Sequence, residues 1–182
     1  MADEQVIRFC APTLASIKTA NLFSWPFTSR QEMTAQVRSL NLRLRGKGLR
    51  TLGLAYRAGC GLIYVYRPKK LSADLQNELA AGLLRECGYP CSDENTCLRC
   101  LIRRLDESAD FPHEIGLFLG YPPEDVDGFI NRRGECKCCG FWKVYGDVDS
   151  AQKLFARYRK CTDIYCRLWQ EGRSIEKLTV AI

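Results

Sequence analysis

The chain has 182 residues, 46% of them apolar, and a formal net charge of +6. That length suits one domain spanning residues 1–182 with a sizeable core, and the composition is globular rather than disordered or fibrous. No apolar run approaches the roughly 18 residues that a membrane-spanning helix needs, so no membrane association is expected.

The opening MADEQVIRF carries acids where a signal peptide carries basic residues, and it lacks an apolar core, so a cytoplasmic location is expected. The 11 cysteines are odd in number. Without an export signal they read as reduced, metal-bound or redox-active thiols rather than a disulfide framework. The positive charge is modest and dispersed, which suits a small anionic partner.

Residues 3–9 read as a short lead-in. Pro12 then fits the start of a helix whose apolar face is Leu14, Ile17 and Leu22. Cys10 would stand at that helix N-terminus, where a thiolate is favoured. The alternative is a small buried residue, since free cysteine is among the most buried types. Lys18 follows two turns further on. LFSWPFT at 22–28 reads as an apolar turn, and Thr28 as the cap of a helix burying Met33, Val37, Leu40 and Leu44. Strands are expected over 49–57 and 62–67, joined by a hairpin turn at Ala58–Gly59–Cys60–Gly61. Ser72 caps a further helix that stops near Gly88. Residues 87–100 hold Cys87, Cys91, Cys97 and Cys100. Their spacing matches no standard zinc ribbon, and Cys97–Cys100 is a C-x-x-C at an expected helix start capped by Asn95 or Thr96.

Residues 111–130, FPHEIGLFLGYPPEDVDGFI, read as two short helices joined at Gly120–Tyr121–Pro122. The first is capped by Asp110, has Pro112 in its first turn and buries Ile115, Phe118 and Leu119. It carries the only histidine, His113. An imidazole there can act as a general base or a metal ligand. Gly116 lies on the same face, which suits a close contact. The second helix starts at Pro123, buries Val126, Phe129 and Ile130, carries Arg132 and Arg133 in its last turn and stops at Gly134.

A third strand is expected over 141–145, giving a mostly helical α+β chain with a small antiparallel sheet of three strands. Asp147 or Asp149 starts a helix through Ala151, Leu154, Phe155 and Tyr158. Cys136, Cys138, Cys139, Cys161 and Cys166 can converge if the intervening strand and helix return the chain. Such a set would ligate zinc or an iron–sulfur centre, although C-x-C-C is standard for neither.

Three segments carry a family resemblance: CAPTLASIKTANLF at 10–23, the 111–130 stretch, and CKCCGFWKVYGDVDSAQKLFARYRKC at 136–161. Together they resemble a domain-of-unknown-function family of cysteine-rich cytoplasmic proteins found mainly in anaerobic Gram-positive, clostridial-type bacteria. The resemblance places Cys10, Lys18, His113, Glu114, Tyr121, Asp125, Trp142, Lys143 and Tyr145 in signature segments. It implies no activity. The segment from Cys87 to Cys97 departs from the family's usual pattern.

The residues suit three functions. In the first, thiol chemistry, nucleophilic or redox, centres on Cys10 with His113 as its base. Glu114 or Asp125 orients the imidazole, and Lys18, Tyr121, Trp142, Lys143 and Tyr145 bind a small anionic substrate or a redox partner. The second is a zinc, iron–sulfur or other cofactor site on the five C-terminal cysteines. The third is a non-catalytic interaction module using basic patches such as Arg43–Arg45–Lys47–Arg50. Nucleic acid is not the expected partner, because no helix-turn-helix or aromatic–basic motif accompanies those charges.

Overall fold

The computed structural model describes residues 2–90, 93–107, 110–131 and 135–182. Helices predominate and a small antiparallel sheet accompanies them, which is the α+β class expected. The chain divides into two compact units, Met1–Lys69 with Tyr158–Ile182, and Lys70–Arg157. Among the described residues no helix is long and apolar enough to cross a membrane.

The first unit holds α1 (Asp3–Leu14), β1 (Ala20–Pro26), α2 (Arg30–Leu44), β2 (Arg50–Arg57), β3 (Cys60–Tyr66), the end of α8 (Val148–Gln170), and α9 (Ile175–Leu178). Helix α1 starts seven residues earlier than Cys10, because Val6, Ile7, Cys10, Ala11 and Leu14 form one buried stripe at helical spacing. Pro12 therefore falls in its last turn, not its first. The expected continuation to residue 22 breaks at Ser16, which adopts φ 57°.

The 22–28 segment is not a turn. Its aromatic residues suit a strand, and β1 forms the sheet edge in the antiparallel order β1-β3-β2, where Pro26 at the strand end costs no central ladder bond. The hairpin turn is Ala58–Gly59, both at positive φ, and Cys60 already belongs to β3. Ser29 rather than Thr28 caps α2, accepting from the Glu32 N–H at 3.1 Å while the Glu32 carboxylate takes the Thr28 N–H at 2.7 Å. The core joins Val6, Ile7, Cys10 and Leu14 of α1 to Phe23, Met33, Leu40, Ile63, Ile175 and their neighbours.

Arg67 is fully buried here. It donates to the Thr13, Leu14 and Lys47 carbonyls at 2.9, 2.6 and 2.7 Å. Two of those are carbonyls at the end of α1, so a cation sits at the negative end of that helix. Burial lowers its pKa from the usual arginine value.

The second unit holds most of α3 (Pro68–Leu75), then α4 (Glu78–Glu86), α5 (Glu94–Glu107), α6 (Ile115–Phe118), α7 (Pro123–Asn131), β4 (Cys138–Cys139), β5 (Lys143–Val144) and the start of α8. Asp93, not Asn95 or Thr96, caps α5, and its carboxylate accepts the Asn95 and Thr96 N–H groups. Cys97 and Cys100 are consequently buried inside the helix. The expected third strand is shorter and belongs to a separate ribbon, β4 paired with β5. The expected roles of Cys91, Arg132, Arg133 and Gly134 lie outside the described residues. Asp147 does open α8, accepting from the Ser150 N–H at 3.1 Å.

Candidate ligand site around His113 and Lys143

The second unit places most of the expected site residues around one carboxylate. Asp125, in the first turn of α7, is 3% exposed. Its Oδ2 accepts from Trp142 Nε1 at 2.7 Å, and its Oδ1 accepts from the Tyr145 and Gly146 N–H groups, both at 2.7 Å. Asp125 thus fastens the β4–β5 ribbon to α7, and these three hydrogen bonds go to the ribbon rather than to the His113 imidazole. Trp142 is buried, stacked on Tyr121 at 4.8 Å and edge-on to Phe155 at 4.5 Å. Its indole is thus a packing element held by one hydrogen bond. Tyr121 is half-buried and donates to the Phe141 carbonyl at 3.2 Å.

Close packing locks this arrangement. A Cβ on Gly128 would lie 2.4 Å from the Tyr145 ring, and one on Gly116 would lie 2.9 Å from Val126. Glycine at these two positions lets the Tyr145 ring press on α7 and lets α6 meet α7.

Glu114 is buried beside its neighbour His113 but faces away from the expected partner. Its Oε1 accepts from the Tyr89 hydroxyl at 2.9 Å and pairs with Arg104 Nε at 3.0 Å. Arg104 also donates to the Cys87 carbonyl at 2.7 Å and lies over the Tyr89 ring at 5.2 Å. Burial first, then the Glu114 charge, push the Tyr89 hydroxyl above its usual range. This network fixes the end of α5 against the 110–114 turn.

His113 lies in that turn, before α6, and not inside a helix. It is exposed, and its ring meets Phe129 edge-on at 4.9 Å. Lys143, exposed on β5, brings its Nζ to 5.2 Å from the same Phe129 ring. No carboxylate among the described residues pairs with Lys143. His113 and Lys143 flank two adjoining cavities. The larger, about 760 Å³, is also lined by Arg104, Glu107, Asp110 and Tyr145. The smaller, about 180 Å³, is also lined by Gly116, Phe129 and Trp142.

Cys10 and Lys18 belong to the first unit. Cys10 is 0% exposed in the third turn of α1, and burial pushes its thiol far above the usual value, with a smaller opposing effect from Lys18. The expectation of a helix-start thiolate is therefore corrected: desolvation outweighs any favourable charge. Lys18 is itself buried, with its ammonium on the Ala20 carbonyl, so it is not presented to a substrate.

Among the described residues no group of three or more His, Cys, Asp or Glu side chains is placed to hold a metal ion. Cys161 and Cys166 lie five residues apart on α8, about 140° around the helix axis. That spacing opposes a shared site. Cys136 and Cys139 do approach, with sulfurs 3.3 Å apart.

Sequence reading missed Glu107, Tyr89 and the place of Phe129 in the cavity lining. The Arg104/Glu107 spacing at i, i+3 was the available signal; Phe129 was read only as core.

Fold and site together describe an α+β protein with a cleft lined by both charged and apolar side chains. The chain matches the model of the protein family of unknown function DUF3793 over residues 6–179 and belongs to that family. No curated protein and no solved structure matches it.

Proposed function

We propose that the cleft of the second unit binds a small organic molecule carrying one negative charge and a flat apolar body. The observation that carries this reading is the convergence of His113 and Lys143 on the Phe129 ring beside a cavity, with no carboxylate among the described residues paired to Lys143. Lys143 supplies the charge, Phe129 the apolar surface, and His113 a hydrogen bond or a proton at the bound group. Tyr145 closes the same wall. Glu107 and Asp110 line the same cavity, and their carboxylates disfavour a second negative charge, so a monocarboxylate fits better than a polyphosphate. The burial of Cys10 weighs against a thiol nucleophile as the centre of function.

Calorimetric titration with benzoate tests this reading, with benzyl phosphate and benzylamine alongside. Benzoate should bind more tightly than either, and Lys143→Ala should weaken it by about tenfold, or roughly 1.4 kcal/mol. Equal benzoate affinity in wild type and Lys143→Ala would remove Lys143 from the site and the reading with it.

A further inference from the structure

One more chemistry-bearing arrangement stands on the β4–β5 ribbon. Cys136 and Cys139 have C-x-x-C spacing, with sulfurs 3.3 Å apart. A sulfur–sulfur bond is about 2.05 Å, so closure needs a shift of roughly an ångström. Cys139 is exposed and Cys136 half-buried, whereas the other C-x-x-C, Cys97–Cys100, is buried. The ribbon is held in shape by the Lys137 N–H on the Val144 carbonyl at 2.8 Å and the Gly140 N–H on the Trp142 carbonyl at 3.0 Å. Its register sets Lys143 directly opposite Cys139, where an ammonium favours a thiolate.

We propose that Cys136 and Cys139 are a redox-active dithiol that reduces disulfide-bonded molecules and is itself oxidised to an intramolecular disulfide. In the first step one thiolate of the pair attacks a substrate sulfur, forming a mixed disulfide. Half of the substrate leaves as a thiolate, which takes a proton from water. The second cysteine then loses its proton to water and attacks the sulfur of the first, expelling the remaining half. Two protein thiols are oxidised and one substrate disulfide becomes two thiols. The contact with Cys136 raises the Cys139 thiol above its usual value, with Lys143 opposing. The proposal does not rest on the ligand reading.

The test is incubation of the full chain with glutathione disulfide, followed by acid quench, alkylation and tryptic mass mapping. Trypsin cuts after Lys137 and separates Cys136 from Cys139, so their disulfide appears as two linked peptides. Wild type and Cys138→Ser should both give the linked pair. Glutathione left on Cys136 or Cys139 should be about a tenth or less of that on the exposed Cys60, because the neighbouring thiol resolves the adduct intramolecularly. Cys136→Ser and Cys139→Ser should instead retain glutathione on the remaining cysteine. Adducts that persist in wild type as they do on Cys60 would overturn the proposal. So would a linked pair of undiminished yield in Cys139→Ser, which would assign the chemistry to Cys138.

Discussion

Asp125 shows how one side chain can hold a whole ribbon against a helix. Three donors 2.7 Å from its carboxylate are supplied by the segment 142–146. Asp125→Asn keeps the shape but turns a donor towards either the indole or the ribbon amides. We expect a loss of about 2 kcal/mol in urea unfolding, since a buried donor is left without an acceptor. An unchanged midpoint would mean the ribbon is held by other contacts. Cys10 makes the opposite point. Its type and the nearby Pro12 suggested a reactive thiol, yet the apolar period of the helix begins at Val6 and takes Cys10 into the core. Native-state iodoacetamide at pH 8 should modify Cys60 and Cys139 and leave Cys10 untouched until the chain unfolds. Rapid labelling of Cys10 would revive the thiol reading.

At the scale of elements, long-range pairing decided what local signals left open. The helices of the 111–130 stretch were legible from Pro123, Gly120 and the spacing of apolar residues. The strand at Ala20–Pro26 was not, because its pairing with β3, across residues 60–66, is invisible in a local window. Gly128 is a sharper case: its need for glycine comes from Tyr145, 17 residues away in sequence. Gly128→Ala should displace that ring and cost roughly 1–3 kcal/mol by overpacking.

Arg43 ties α2 to Asp3 of α1 at 2.5 Å and to Glu176 of α9 at 2.6 Å. Its guanidinium pulls the Glu176 carboxyl down to about 2 from 4.5. A depressed carboxyl pKa gives stability that is present above the unfolded value and lost as pH falls from 4.5 towards 2. Both partners are more than a third exposed, so the contribution should stay below about 1 kcal/mol. Glu176→Gln should flatten that part of the acid-unfolding profile and leave neutral pH nearly unchanged. An identical acid profile in the variant would assign the acid sensitivity to other carboxylates.

At the scale of the whole chain, the α+β class and the 111–145 region were legible because helix periodicity, turn residues and the single histidine mark them. The composition of the cleft was not. It depends on α5, the 110–114 turn, α7 and β5 meeting around Phe129. Membership of a family of unknown function leaves the chemistry to these residues. Because the chain has one histidine, its imidazole resonances are assigned without ambiguity. The most direct measurement is therefore the His113 proton–nitrogen spectrum during titration with benzoate at fixed pH. We expect a saturable shift of the His113 signals in wild type, which Lys143→Ala moves to about tenfold higher benzoate. A His113 spectrum that stays unchanged while benzoate binds elsewhere, or does not bind at all, would contradict a ligand site at this cleft.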